Sequence, residues 1–479
     1  MNIYRVFSRF HRQCNCSVRA IPRFLVNGER SRNFSKKCET VKSEKTALLV
    51  FTEGSGEILV AVISDILRRA GIEVSVCGLC DSEPTKCSKG VVIKPETSIY
   101  RAHKYKFDVV VIPGGLEGAK TMATNVTLGK YLKQHYKEGR LLAAICCGPL
   151  VLAANNIAEG CRLTSYPARK PDLEKIYKYV DDEIIVEDGK LLTSRGPGTA
   201  MKFALKISEI LVGNKKALEV AKDILMKDDT YSRNFFTKLT MTIRHVFSCA
   251  FRFSNWPLQQ LHSCKARLTH PQFLRNAEHS RFYSEQKEKE PKEHKSALII
   301  FTKGAEEMEV VITADVLRRA EIDVVLAGLC DDKPVECVKE LLIVPDVGLE
   351  NVINRKFSAI VLPGGIESSQ IMAKNLYFGE YLKEKENECY IAAICSGPLV
   401  LAAHNIGKGK RITSYPALEL DLYKTYKYEY DDVVVDGNII TSRGPATTFQ
   451  FALKIVELLR DKKKAEEIAK ILLLDDHCQ

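Results

Sequence analysis

The sequence repeats itself, and that repeat constrains the fold more than any other feature. Phe51-Thr-Glu-Gly54 returns as Phe301-Thr-Lys-Gly304, and Leu67-Arg-Arg-Ala70 returns as Leu317-Arg-Arg-Ala320. Ile112-Pro-Gly-Gly115 matches Leu362-Pro-Gly-Gly365, Ala143-Ala-Ile-Cys146 matches Ala392-Ala-Ile-Cys395, and Thr193-Ser-Arg-Gly-Pro197 matches Thr441-Ser-Arg-Gly-Pro445. The offset stays between 248 and 250. Solenoids repeat every ~20–50 residues, so this period means two copies of a whole domain. The copies are expected over 45–227 and 296–475, after a leader over 1–44 and separated by a segment over 228–295.

Charge divides along the same boundaries. The chain of 479 residues has a formal charge of +11, yet residues 1–44 carry ten Lys/Arg against three acids, and 230–277 carry seven against none. Those two stretches exceed the whole surplus and leave the rest slightly acidic. A broad nucleic-acid footprint is therefore not expected. The longest apolar stretch, Leu141 to Ala154, is broken by Gly148-Pro149 and is too short to span a bilayer. Sixteen cysteines in this length fall well below a disulfide-stapled scaffold.

The leader places Ile3, Phe7 and Phe10 on one helical face among Arg5, Arg9 and Arg12, and it ends in Arg32-Asn-Phe-Ser35. This is the pattern of a mitochondrial presequence, so a mitochondrial address is expected, with the cytoplasm as the alternative. The middle segment has the same grammar, from Met241-Thr-Ile-Arg to Arg281-Phe-Tyr-Ser284, and it holds the only tryptophan, Trp256. It reads as a second presequence left by fusion of two copies. As a plain tether it would span roughly 45 Å. A nucleic-acid tail is the weakest reading.

Each copy opens with a continuous apolar run, Ala47–Phe51 or Ala297–Phe301, as suits a strand buried on both faces. Amphipathic helices ending at the Leu-Arg-Arg-Ala turns come next. Strands are expected at Val74–Cys77, Asp108–Ile112, Val324–Ala327 and Ala359–Leu362, with closing helices at Lys215–Lys227 and Lys462–Leu474. Strands alternating with helices predict an α/β fold with a mostly parallel sheet and helices on both faces.

The chemistry concentrates where an apolar strand runs into Cys146-Cys147-Gly148-Pro149, and again into Cys395-Ser396-Gly397-Pro398. Glycine followed by proline at the first helical position makes a sharp strand-to-helix turn that projects the cysteine at a carboxyl strand end. A helix N-terminus there favours thiolate over thiol. The bland alternative, a small core cysteine, is weakened by two further elements. Pro-Gly-Gly after a strand offers Gly115 and Gly365 N–H groups to an oxyanion, alongside those of Cys147 and Ser396. An acid cluster, Glu306-Glu307-Met-Glu309, follows the first strand of the second copy.

Together these motifs resemble the ThiJ/PfpI superfamily (class I glutamine amidotransferase-like) in its parkinsonism-associated protein deglycase branch, over about three quarters of the chain. The resemblance implies two tandem flavodoxin-like domains, paired within the chain or as a homodimer. It implies that Cys395 is a reactive nucleophile that oxidises to a sulfinate, and that a protonated Glu309 hydrogen-bonds to it. The implied activity is glutathione-independent conversion of methylglyoxal, or repair of early glycation adducts on protein, without cofactor or metal. A redox sensor or chaperone switched by Cys395 oxidation is the non-enzymatic alternative. A cysteine peptidase would need a histidine that neither elbow supplies.

Departures from the family pattern grade the two copies. Leu59 stands where Glu309 stands, which deprives Cys146 of a hydrogen bond worth ~1.5–3 kcal/mol, so the first site is expected to be the weaker. Glu57 matches Glu307 and is a poor substitute. The family's histidine before proline is replaced by Tyr166 and Tyr415, and a phenol relays protons poorly at neutral pH. The pair Cys77/Cys80, the loop cysteines Cys87 and Cys337, and a resolving role for Cys147 are lesser candidates. Arg69 and Arg319 match an interface arginine of the family, Lys89 and Lys339 read as surface lysines, and His404 as a residue packing on its helix. No Cys/His spacing resembles a zinc site.

Overall fold

The computed structural model describes residues 45–227 and 295–474. The presequence-like leader and the basic segment over 228–294 lie outside the described residues.

Each repeat builds a seven-stranded sheet. In the first, the spatial order is Ile185–Asp188, Leu191–Ser194, Leu141–Ile145, Val109–Ile112, Thr46–Phe51, Glu73–Gly78 and Thr97–Ser98. All neighbours are parallel except the edge pair Ile185–Asp188 with Leu191–Ser194. The second repeat has the same order, from Val433–Asp436 to Val347–Gly348. Reading the five long parallel strands in chain order gives 2-1-3-4-5, the flavodoxin-like arrangement, whose ligands lie at the carboxyl ends of strands 1 and 3. The central strands are buried end to end, as their unbroken Val/Ile/Leu/Ala runs require.

The helices Glu57–Arg69 and Glu307–Arg319 are not one-sided. Every residue up to Leu67 and Leu317 is buried. A helix buried all round needs partners on both sides. Here each packs against the last long helix of its own repeat, Ala200–Val212 or Thr448–Leu459, and against its counterpart in the other repeat. The expected amphipathic helix is thus a two-sided one, and the pairing of the repeats is built into its composition.

The repeats also share a sheet. Val92–Lys94 runs antiparallel to Leu342–Val344, which joins two hairpins into four strands. Arg68 donates to the Lys339 carbonyl, and Arg318 reciprocates on Lys89 at 3.0 Å. The closing helix of the first repeat ends at Asp223, short of the expected Lys227, because Leu225 turns left-handed (φ 63°). The chain there engages the other repeat instead: Ala446 N–H donates to the Ile224 carbonyl at 2.9 Å.

One ion pair breaks the symmetry. Arg69 grips Asp65 at 2.6 Å and reaches across to Glu306 at 2.7 Å. Burial disfavours the Arg69 cation, but the carboxylates of Glu306 and Asp65 outweigh it and hold its proton more tightly. Arg319 pairs with Asp315, while Gly56 stands where Glu306 stands. Removing one partner of a buried pair costs ~3–5 kcal/mol. Arg69→Met is therefore expected to destabilise the chain by about that amount in urea unfolding, and Arg319→Met by clearly less. The reverse order would contradict this reading of the interface.

Candidate functional site

The turn at the end of Tyr390–Ile394 forces Cys395 to φ 60°, and Cys146 likewise takes φ 62°. The left-handed region costs a non-glycine residue roughly 1–2 kcal/mol, so something must hold it. Three main-chain hydrogen bonds do. Cys395 N–H donates to the Ser442 carbonyl at 3.0 Å, Tyr415 N–H to the Cys395 carbonyl at 2.9 Å, and Gly397 N–H to the Ile394 carbonyl at 2.8 Å. The same set recurs around Cys146. Both cysteines are half-buried, and the strained elbow read from the sequence is present in both repeats.

Glu309, fully buried in the first turn of its helix, meets this elbow. Its Oε2 accepts from Gly364 N–H at 2.6 Å. Its Oε1 is buried without a hydrogen-bond partner, and the Cys395 side chain lies beside the carboxyl across Gly364. Only glycine fits at 364: a Cβ there would lie 2.7 Å from the Cys395 Cβ and 2.9 Å from Glu309 Oε2. Gly365 (φ 93°) runs so close to Gly304 that a Cβ would meet its carbonyl at 2.0 Å. Ser396 N–H faces the Cys395 sulfur, and Gly365 lines the same cavity. In the first repeat, Gly115 N–H and Cys147 N–H both face the Cys146 sulfur.

Burial sets the electrostatics. It raises the Glu309 carboxyl to about 8, against the hydrogen bonds from Gly364 and Cys395 and the charge of Arg69. Burial and the carboxylates of Glu309 and Glu306 push the Cys395 thiol up, with Ser396 N–H working the other way. The expectation that the helix N-terminus would favour thiolate is corrected here. The helix Pro398–Ala403 has only six residues, and desolvation outweighs its dipole.

The same shift has a stability consequence. A carboxyl raised from 4.5 to about 8 binds its proton more tightly in the folded state. Its contribution is complete below pH 4.5 and is lost as pH rises through 8. Glu57, raised to about 7, and Glu307, raised to about 8, are shifted mainly by burial and act in the same direction. Unfolding free energy measured from pH 5 to 8 is therefore expected to fall with pH, and less steeply in Glu309→Gln.

The other repeat completes the site. A cavity of about 580 Å³ opens over Cys395, with Arg69 and Asp223 entering from the first repeat. The second repeat supplies Gly304, Glu306, Gly365, Ser396 and Tyr415. Tyr415 OH donates to the Asp223 carbonyl at 3.4 Å, and Tyr166 OH to the Ile471 carbonyl at 3.2 Å. Burial raises both phenols, so they stay protonated at neutral pH. The cavity lining holds Asp223, Glu306, Glu336, Glu340 and Glu367 against Arg69 and Lys303. Asp223 was not legible as a site residue, since nothing local marks a helix end that docks on the other copy. Glu306 was legible only as part of an acid cluster. Ser369, whose hydroxyl is 2.8 Å from that of Ser396, was also missed.

The remaining candidates divide. Leu59 is buried where Glu309 stands, and Glu57 turns away from Cys146 to accept from Ser88 Oγ at 2.8 Å and Lys89 N–H at 2.8 Å. Lys339 N–H makes the matching bond to Glu307 at 3.0 Å, so the backbone of these two lysines is structural. Cys77 is buried in its strand and Cys80 is exposed; both are free. Burial pushes the Cys87 and Cys337 thiols up, which argues against easy oxidation there. His404 does more than pack on its own helix: Nε2 contacts the Met372 carbonyl of a neighbouring helix at 3.0 Å. Among the described residues, Asp65, Glu306 and Glu307 form a close acidic group, and Arg69 is the cation that answers it.

The family model described as DJ-1/PfpI family matches residues 45–210 and 295–458. Protein DJ-1 homolog B of Arabidopsis thaliana is 30% identical over 95% of this chain and 93% of its own length. Glutathione-independent glyoxalase DJR-1.2 of Caenorhabditis elegans is 43% identical over 38% of this chain and 97% of its own. The crystal structure of Drosophila melanogaster DJ-1beta is 49% identical and covers 39% of this chain and 100% of that one, with a TM-score of 0.38. No helix among the described residues is long and apolar enough to cross a membrane.

Proposed function

The chain belongs to the DJ-1/PfpI family as a tandem duplication, and from that premise we propose that its second repeat is a glutathione-independent glyoxalase or deglycase with Cys395 as nucleophile. The observation that carries the reading is the buried Glu309 carboxyl beside the Cys395 thiol, under a cavity that a small carbonyl compound fits. Loss of one proton from the pair leaves Glu309 ionised beside the thiol, and the carboxylate takes the Cys395 proton to give the attacking thiolate. The thiolate adds to the aldehyde carbon of methylglyoxal, and the new oxyanion is held by Ser396 N–H, with Gly365 alongside. Glu309 moves the proton between the two carbons, and water releases lactate.

The lining bears on substrate choice. Asp223, Glu336, Glu340 and Glu367 outnumber Lys303 and the ion-paired Arg69 there, with Glu306 held toward its protonated form by burial, and this acidic lining disfavours an anionic substrate such as a glutathione adduct. It favours a free dicarbonyl or an adduct carried on a basic side chain. Cys146 lacks the carboxyl and is assigned no share of this turnover. A mitochondrial address, from the leader, is proposed alongside.

The test is lactate formation from methylglyoxal by the full chain without glutathione. Turnover lost in Cys395→Ala and kept in Cys146→Ala supports the reading. No turnover above the Cys395→Ala background, with oxidation of Cys395 by peroxide intact, favours the redox-sensor alternative.

A further inference from the structure

The first repeat has lost a carboxyl but gained a thiol. Cys147 stands where Ser396 stands, and Ala119 where Ser369 stands, so the serine pair of the second repeat is replaced by a single sulfur. Cys146 Sγ lies 4.0 Å from Cys147 Sγ, oriented as donor to acceptor. Cys146 is half-buried and turned out by its φ of 62°, while Cys147 is 6% exposed behind it. Leu59 leaves no carboxylate to take the Cys146 proton.

We propose that Cys146 and Cys147 form a reversible peroxide-reactive dithiol, with Cys146 as the attacking sulfur and Cys147 as both its proton acceptor and its resolving partner. The inference concerns the first repeat alone and stands or falls apart from catalysis at Cys395.

Charge around the pair supports it. The hydrogen bond from Cys146, with Arg169 and Gly115 N–H adding to it, lowers the Cys147 thiol against its burial, and raises that of Cys146. Of the two sulfurs, Cys147 is the one on which negative charge is favoured. Arg319, which meets no counterpart of Glu306, adds positive charge near Cys146.

The steps balance. Cys147 thiolate takes the Cys146 proton, and Cys146 thiolate attacks the terminal oxygen of a hydroperoxide, breaking its O–O bond. This gives Cys146 sulfenic acid and an alkoxide, which recovers the proton from Cys147 and leaves as alcohol. Cys147 thiolate then attacks the Cys146 sulfur and expels hydroxide. Two thiol sulfurs are oxidised to one disulfide, and the peroxide is reduced to alcohol and hydroxide. Adjacent Cα atoms are ~3.8 Å apart, below the usual disulfide range, so the bond is strained and readily reduced. The second repeat has Ser396 in this place and lacks that route back.

The full chain treated with a slight excess of cumene hydroperoxide, alkylated and digested with trypsin reads this directly. The peptide over 141–162 is expected two hydrogens lighter, with the bond between Cys146 and Cys147, and restored by dithiothreitol. Cys147→Ser is expected to lower that species at least ~10-fold and leave oxygen adducts on Cys146. Cys161→Ser, in the same peptide, is expected to keep it. Should Cys147→Ser fold poorly, fragmentation of the wild-type peptide locates the bond without it. Wild-type Cys146 accumulating as sulfinate while Cys147 still alkylates, or a bond that runs to Cys161, overturns the proposal.

Discussion

Cys395→Ala is expected to lower kcat/KM for methylglyoxal at least ~10³-fold, while Cys146→Ala leaves most of it. The asymmetry is the informative part. Both sulfurs sit on the same strained turn, with φ 60° and 62°, and both face a main-chain N–H. They differ in the group beside them: Glu309 in one repeat and Leu59 in the other. If the elbow alone made a nucleophile, the two alanine variants would lose comparable activity. If the carboxyl is required, only one will. Stability provides the control, because neither substitution removes a hydrogen bond on which the sheet depends.

Glu309→Gln is expected to lower kcat/KM roughly 10²-fold at pH 7 and to change its pH profile. In the native chain the carboxyl, raised to about 8, and the raised thiol hold two protons at neutral pH. The reactive form has lost one of them. Each unit below pH 8 then lowers the reactive fraction about tenfold, so activity climbs with pH and levels off near 8. Glutamine keeps an acceptor for Gly364 N–H and preserves the turn, but it cannot take the proton. The climb therefore moves to higher pH, where the buried thiol ionises unaided.

The scaffold was legible because its signals are local. Continuous apolar runs such as Ala47–Phe51 mark doubly covered strands, and Gly397-Pro398 marks the turn that exposes Cys395. The pairing of Cys395 with Glu309 was legible only through resemblance, since 86 residues separate them and no periodicity links them. What escaped was whatever the second copy brings. Asp223 at the mouth of the cavity and the Arg69–Glu306 bridge exist because one repeat packs on the other. The ionisation of Cys395 is hidden from the sequence for a related reason. A helix N-terminus is visible in sequence, whereas the depth of burial that opposes it comes from long-range packing.

The pH dependence of alkylation at Cys395 tests the shared proton most directly. The full chain is pulsed with iodoacetamide between pH 5 and 9, and modification of Cys395 is read on the tryptic peptide over 386–408. The rate should rise about tenfold per unit, bend near pH 8, and bend later in Glu309→Gln. A rate that is already flat from pH 6 upward, or a bend that the glutamine variant leaves in place, would contradict the account.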